Sequence, residues 1–413
     1  MTPLKTLAIG AALTVFSLPA WAETDITFWH SFGGGNGKAL EQIISDFEKK
    51  RPDIKVTAQE IGDYNDIVTK LQAAIPAKRY PDVVLLEITR YGLFAEKGIL
   101  ENLSPYLDKD PLKEQLYDFA RDVGKYKGSN YVIPFNSSTP VTYYNKAVFR
   151  AAGLPDTVPL KNFNDLLGAA KTVQEKFGSQ GKFGISPMGQ FARWGIVMSN
   201  DSDLIDPVSN DVIVDSPKTI AAYEWMADLV RKYKVASVDG ITDEDAAKAQ
   251  FTAGNVAINL DSTGVFGGFK KALGDDLGVV PFPCEAVCRV PIGGAGIGIV
   301  SMIDAEKKKA AYDFISYMAS PEANAIWFAA TGYLPINRKT LDVKVAADAA
   351  NKDEGITVLI KQIDYARGRP RPPVVTWMRK MEYGVWESVA LGQKQVPDAL
   401  KALAAQTRAQ TTN

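Results

Sequence analysis

Pro134-Phe135-Asn136-Ser137-Ser138-Thr139-Pro140 runs directly into Val141-Thr142-Tyr143-Tyr144-Asn145-Lys146. Amide and hydroxyl side chains fill four consecutive positions between two prolines, just after the apolar Tyr131-Val132-Ile133, where a strand leaving a core would end. Proline forbids helix and removes ladder donors. Buried hydroxyls would each need a partner, so these are not core fillers. The stretch reads as a short, stiff, donor-rich crossing between two apolar runs, the form that a polar-ligand cleft requires. A turn-rich surface loop has the same composition.

Upstream, strand and helix signals alternate. Ile26 to Trp29 reads as a strand, and Gly33-Gly34-Gly35-Asn36-Gly37 as the loop opening a helix from about Lys38 with Leu40, Ile43, Ile44 and Phe47 on one face. Ile54 to Ala58 gives a second strand, and Gly62-Asp63 caps a helix from about Tyr64. Val83-Val84-Leu85-Leu86 is a continuous apolar run of the kind buried on both faces of a parallel sheet. This order is α/β architecture, in which ligands bind beyond the carboxyl ends of the strands. Gly33 to Gly37, Tyr64 and Glu87 then share one rim.

Downstream, Phe163 to Phe177 and Ile220 to Tyr233 are helical in pattern, and Val256 to Leu260 is a buried strand that breaks into Asp261-Ser262-Thr263-Gly264. That second polar exit echoes the first and predicts two lobes with paired crossings. Ile292 to Val300 is extended, Ser320-Pro321-Glu322 starts a helix, and Arg367-Gly368-Arg369-Pro370-Arg371-Pro372-Pro373 is an extended basic tail before a helix at Trp377 to Leu391.

At 413 residues two domains are the default. A formal net charge of −1 gives nucleic acid or an anionic membrane no overall attraction. Lys5, the apolar Leu7 to Leu18 and Ala20-Trp21-Ala22 form an export signal with the mature chain beginning at Glu23. That apolar run is shorter than the ~20 residues of a spanning helix, so a free periplasmic or secreted protein is expected. Cys284 and Cys288 in a proline-bounded loop fit a small disulfide in such a compartment, with two free thiols as the alternative.

Catalytic chemistry is hard to assemble. His30 is the only histidine, which leaves no triad and no zinc shell, and it fits a strand-end hydrogen bonder. Gly33 to Lys38 is not a P-loop, because Phe32 replaces the first glycine and Ala39 the magnesium-holding hydroxyl. Asp243, Glu244 and Asp245 fit a solvated helix start. Arg379, at the edge of an apolar helix face, suits either an ion pair with a Glu or a bidentate grip on carboxylate or phosphate.

Taken together, Phe28-Trp29-His30-Ser31, Phe135 to Lys146, Ile292-Gly293-Gly294-Ala295, Ser320-Pro321-Glu322 with Ala323-Asn324-Ala325, and Thr331-Gly332-Tyr333-Leu334-Pro335-Ile336 resemble family 1 extracellular solute-binding proteins of ABC importers. The likeness is greatest to the glycerophosphate-binding branch of that family. It implies an α/β, two-lobed periplasmic-binding-protein fold of type II, maltose-binding-protein-like, with hinge crossovers near Pro134 to Pro140, Ser262 to Gly264 and Ser320 to Glu322. The implied division is residues 1–22 as signal peptide, 23–133 with 265–320 as the first lobe, and 134–264 with 321–413 as the second.

Carried over by position, the family's ligand contacts fall on Tyr64, Glu87, Ser138, Ser262, Gly294, Tyr333 and Arg379. Tyr, Ser and Arg groups with a glycine N–H suit phosphate oxygens, and acceptor-only Glu87 suits polyol hydroxyls. Relatives usually carry Thr-Trp where this chain has Asn162-Phe163, so Phe163 is expected as a cleft wall that admits a bulkier glycerophosphodiester headgroup. The resemblance implies a monomeric, cofactor-free receptor in the periplasm that serves two membrane permease subunits with a cytoplasmic ATPase. A sugar receptor using Trp194, Trp225, Trp327 and Tyr333, and a secreted hydrolase, are the competing readings.

Overall fold

The computed structural model describes residues 23–411, so the export signal at 1–22 lies outside the described residues. The elements that build the fold are strands β1 (Thr24–His30), β2 (Ile54–Glu60), β3 (Val83–Glu87), β4 (Ile133–Ser138), β5 (Pro140–Asn145), β6 (Phe183–Ile185), β7 (Val256–Ser262), β8 (Leu277–Val280), β9 (Val290–Pro291), β10 (Gly293–Ile299) and β11 (Ala366–Arg367). The helices that matter for the site are α1 (Gly34–Lys50), α2 (Tyr64–Ala74), α3 (Phe163–Phe177), α4 (Gln190–Ser199), α5 (Pro217–Arg231), α6 (Glu244–Thr252), α7 (Pro321–Thr331) and α8 (Val374–Ala390).

Two mixed sheets carry the fold. The first has the order β2-β1-β3-β10-β4, the second β8-β5-β7-β6, and β9 pairs with β11 in a small parallel ribbon. In the first sheet β1 pairs in parallel with β2 and β3, while β10 runs antiparallel to β3 and β4. The Val83-Val84-Leu85-Leu86 run is buried on both faces: Val83 and Leu85 pack with Leu40, Ile43 and Phe47 of α1, and Val84 and Leu86 with Ile67, Val68 and Leu71 of α2. Period-two alternation on a sheet covered by helices on both sides produces this split. The α2 start is fixed by a capping box between Asp63 and Asp66.

The crossing run is more regular than its composition suggests. Both arms are strands with every residue buried, and Thr139 alone separates β4 in the first sheet from β5 in the second. The prolines are tolerated for positional reasons. Pro140 opens its strand, and Pro134 faces a register shift at Ala295/Gly296. The Thr139 carbonyl accepts the Thr263 N–H at 2.9 Å, and Pro140 pairs with Ser262, so the two polar exits lie side by side.

The crossing after Ser262 to Gly264 differs from expectation. After Ser262 to Gly264 the chain continues into β8, which pairs antiparallel with β5, so the segment 277–280 expected with the first lobe joins the second sheet. It reaches β10 of the first sheet through residues 281–292, the loop closed by the Cys284–Cys288 disulfide. Backbone groups anchor that loop: the Cys284 N–H donates to Lys161 at 2.7 Å, and the Ala286 and Val287 N–H groups donate to the Ser199 carbonyl. Ser320 to Glu322 is a helix N-terminus, with the Ser320 hydroxyl accepting from Ala323 N–H, and α7 packs on α1 through Ala323 and Trp327 while Ala325 and Phe328 join Val141 and Tyr143 of β5. Strand partners more than 130 residues apart decide the placement of 277–280, which local composition does not encode.

Phe163 also departs from its expected place. Its ring lies 4.2 Å from that of Trp225 in a near-parallel stack, within the core of the second sheet. A first-turn aromatic on the buried face of α3 is drawn into that core, so Phe163 is not a cleft wall. Among the described residues no helix is long and apolar enough to cross a membrane.

Candidate functional site: a cleft between the two sheets

A cavity of about 770 Å³ opens where strands of both sheets end. From the first sheet, Glu87 stands at the end of β3, Ser138 at the end of β4 and Gly294 in β10, with Tyr64 at the start of α2. From the second come Ser262 at the end of β7 and Arg379 on α8, and Tyr333 closes the wall after α7. All seven positions carried over from the family resemblance thus line one cavity. Strand ends and helix starts supply them, as the open-sheet rule leads one to expect.

Glu87 is the electrostatic centre. Its carboxylate meets Arg369 Nη2 through Oε1, and Arg379 Nη1 at 2.9 Å and Arg90 Nε at 3.7 Å through Oε2. The Thr89 N–H and hydroxyl donate to Oε2 at 3.0 and 2.6 Å. Burial alone would push this carboxyl up, but Arg369, Arg379 and Arg90 outweigh it and hold it at about 2. Burial also draws the Arg369 guanidinium down to about 10 against the pull of Glu87, which leaves it charged at neutral pH. Three guanidinium groups against one carboxylate leave a surplus of two positive charges on this side of the cavity. Two of their donors, Arg369 Nη1 and Arg90 Nε, are buried without a hydrogen-bond partner.

This arrangement revises the role expected of Glu87. Both carboxylate oxygens are already taken by guanidinium and Thr89 donors, so its chemistry is that of a counter-ion that gathers arginines rather than an acceptor of polyol hydroxyls. A pH prediction follows. Glu87 sits below its ordinary value of 4.5, so its contribution to stability is full above that value and is lost as pH falls toward about 2. Chemical unfolding measured at pH 5 and pH 2.5 is expected to show a decline to which Glu87 contributes up to about 3 kcal/mol. Glu87→Gln should start less stable and show a correspondingly shallower decline; an equally steep one would show that other carboxylates govern it.

The remaining wall is built by close approach. Gly294 has φ +104°, and a Cβ there would sit 1.7 Å from the Asn136 carbonyl oxygen, so this position needs glycine. Asn136 Nδ2 donates to the Tyr64 hydroxyl at 3.1 Å. Tyr333 stacks on Trp327 and passes over Gly264, where a Cβ would meet the ring at 2.3 Å. Burial raises the phenols of both Tyr64 and Tyr333, which stay protonated donors at neutral pH. Ser262 Oγ accepts from the Gly264 N–H at 3.1 Å and keeps its own proton to donate.

The lining also holds acidic groups, Asp243, Glu244, Asp245 and Asp261, with Lys248 among them. Asp243 caps α6, accepting from Asp245 N–H and Ala246 N–H, so the helix-start reading holds while the same residues also face the cavity. Burial pushes the Asp261 carboxyl up and Lys248 pulls it back. His30 lies away from this lining; its Nδ1 accepts the Phe32 N–H at 3.2 Å, and burial lowers the ring to about 4. Among the described residues no group of three or more His, Cys, Asp or Glu side chains is placed to hold a metal ion.

Sequence reasoning missed Arg369, Arg90 and Gln190. Arg90 had a usable signal, because Glu87-Ile88-Thr89-Arg90 follows the strand whose carboxyl end was already named as a rim. Arg369 stood in plain view in the basic proline-rich tail, but its meeting with Glu87 spans 282 positions.

The chain is 27% identical over 373 residues to the sn-glycerol-3-phosphate-binding periplasmic protein UgpB of Yersinia pseudotuberculosis, an alignment covering 86% of this chain and 84% of that protein. Among solved structures, an ABC substrate-binding protein from Listeria monocytogenes in complex with cycloalternan superposes with a TM-score of 0.86 at 26% identity, covering 94% of this chain and 99% of its own. UgpB from Mycobacterium tuberculosis in complex with glycerophosphocholine gives 0.85 at 24%, over 94% and 98% of the two chains. Maltose-bound MalE3 of T. maritima gives 0.83 at 22%, over 93% and 99%. These likenesses show the two-lobed, type II, maltose-binding-protein-like fold. The family model described as bacterial extracellular solute-binding protein matches residues 42–354, and the chain belongs to that family.

Proposed function

We propose that this chain is the periplasmic receptor of an ABC importer, capturing sn-glycerol-3-phosphate or a glycerophosphodiester in the cleft and delivering it to two membrane permease subunits driven by a cytoplasmic ATPase. It acts as a cofactor-free monomer and performs no chemistry on its ligand. The carrying observation is the arginine cluster: Arg90, Arg369 and Arg379 converge on one carboxylate with a surplus of positive charge and buried donors to spare. Planar guanidinium forks match phosphate oxygens. In this reading Tyr64, Ser138, Ser262, Gly294, Tyr333 and Arg379 contact the ligand, and Glu87 holds the arginines. The acidic wall at Asp243 to Asp245 supports a diester whose headgroup is cationic, because charge of each sign then meets its opposite.

Neighbours bound to cycloalternan and maltose make a sugar receptor the second reading. Its aromatic platforms are poorly placed here. Trp194 and Trp327 are fully buried, Trp225 is stacked on Phe163, and only Tyr333 of the four candidates lines the cavity. A thermal-shift panel of sn-glycerol-3-phosphate, glycerophosphocholine, inorganic phosphate and maltose separates the readings. At about a thousand times the dissociation constant a true ligand adds roughly 4 kcal/mol, which is expected for the first two compounds. A shift with maltose alone would overturn the proposal, and release of choline from glycerophosphocholine by the pure protein would replace it with the hydrolase.

A further inference from the structure

A buried polar network lies behind the arginine cluster. Arg193 on α4 grips Glu382 on α8 bidentately, Nε to Oε1 at 2.8 Å and Nη2 to Oε2 at 2.6 Å, and the Tyr223 hydroxyl from α5 donates to Oε1 at 2.7 Å. Both charges are 1% exposed. A buried pair of this kind is poor evidence for stability, since apolar residues of the same volume often serve as well. Its value is geometric, and the geometry runs toward the cleft. Gln190 Nε2 donates to Glu382 Oε2 at 2.8 Å and to the Arg379 carbonyl at 2.7 Å, while its Oε1 accepts from Arg379 Nε at 2.8 Å.

The amide has one workable orientation. Glu382 is ionised and only accepts, so the Gln190 face toward it must be the NH2; Arg379 Nε only donates, so the opposite face must be the oxygen. The Gln190 backbone N–H is itself pinned, donating to Glu244 Oε1 at 2.9 Å. With Nε held in this way the fork can reach forward, where Nη1 donates to Thr89 Oγ1 at 2.9 Å and meets Glu87 on the first sheet. The geometry points to Gln190 as the positioning residue that aims the Arg379 guanidinium into the cleft, with the Arg193–Glu382 pair fixing Gln190 in turn. A long, flexible side chain held in its binding direction loses less freedom when an anion arrives.

The consequence for affinity rests on the phosphate reading above; the orientation of Arg379 does not, and the test separates them. Protein labelled with 15N at arginine and tryptophan reports the Arg379 Nε–H resonance, assigned by its loss in Arg379→Lys. In the unliganded wild type that resonance should be shifted and slow to exchange with solvent. Gln190→Ala and the volume-preserving Gln190→Met should each return it to the envelope of exposed arginines. The Trp194 indole N–H, bonded to Asp203 Oδ1 at 2.7 Å in the same core, should stay unmoved and certify the fold. Both variants are also expected to bind sn-glycerol-3-phosphate at least tenfold more weakly by calorimetry. An Arg379 resonance unchanged in both variants overturns the positioning role whatever happens to affinity. A wild type that shows the resonance behaviour but ignores sn-glycerol-3-phosphate overturns the phosphate reading and leaves the positioning role standing.

Discussion

Arg379→Ala is expected to weaken binding of sn-glycerol-3-phosphate by at least about a hundredfold while the unliganded protein remains folded. Truncating one partner of a buried, hydrogen-bonded charge contact costs about 2–5 kcal/mol at an interface, which sets that scale. Two observations limit the damage to the free protein, and one cost remains. Glu87 keeps Arg369 and Arg90 after the change, so no carboxylate is left bare. Thr89 still donates to Glu87. The lost partner of Gln190 Oε1 costs about 1–2 kcal/mol. Calorimetry and urea unfolding on the same preparation decide the matter. Retained affinity together with a collapse of unliganded stability would mean that Arg379 is a structural ion-pair partner and nothing more.

Gly294→Ala should have the largest effect on folding of any single methyl group in the cleft. Two costs coincide there: a left-handed φ of +104° and a Cβ 1.7 Å from a carbonyl oxygen. Asn136, which owns that oxygen, sits in the centre of the first sheet's last strand with no exposed surface. To give way it must pull on Tyr64, to which its amide donates. A loss of about 4 kcal/mol is expected, at the upper end for point changes, read as a fall in the urea midpoint. Gly35→Ala is the control, in the first turn of α1 with no atom within 4 Å of the added carbon, and should be neutral or slightly stabilising. Equal midpoints for the two variants would refute the close-approach account.

What could be read from the sequence was what local spacing encodes. The apolar run at Val83 to Leu86 and the helix faces on Leu40 and Ile67 carry their own period, and the rim position of Glu87 follows from where its strand ends. Tyr64 shared that rim by the same rule and Arg379 stood out as a cation at the edge of an apolar helix face, but Ser138, Ser262, Gly294 and Tyr333 were named as contacts only through family motifs, because nothing in their local spacing brings them together. The route of the chain between the sheets was not legible at all. Leu277 to Val280 looks the same whether it pairs with β5 or with a strand of the first sheet, and its antiparallel partner lies more than 130 positions away. The prolines of the crossing run misled for a related reason. Whether a proline breaks a ladder depends on what faces it, and Pro134 faces a bulge supplied by β10.

The single-residue link at Thr139 constrains how the molecule can move. At Thr139 one residue joins the two sheets and Thr263 is bonded to its carbonyl, so a swing of one sheet against the other, with residues 281–292 as the longer second connection, pivots near that point. Ser138 precedes the pivot and Ser262 is paired with the residue after it, so both sit at almost zero radius and keep their spacing through the swing. Arg379 and Glu87 lie on opposite sides of the cleft, farther from that point, where only their ionic contact at 2.9 Å spans the gap. A ligand touching only the serines would bind without favouring either angle. One long enough to reach the arginine as well converts its own length into torque, which makes ligand size a determinant of closure in addition to ligand charge.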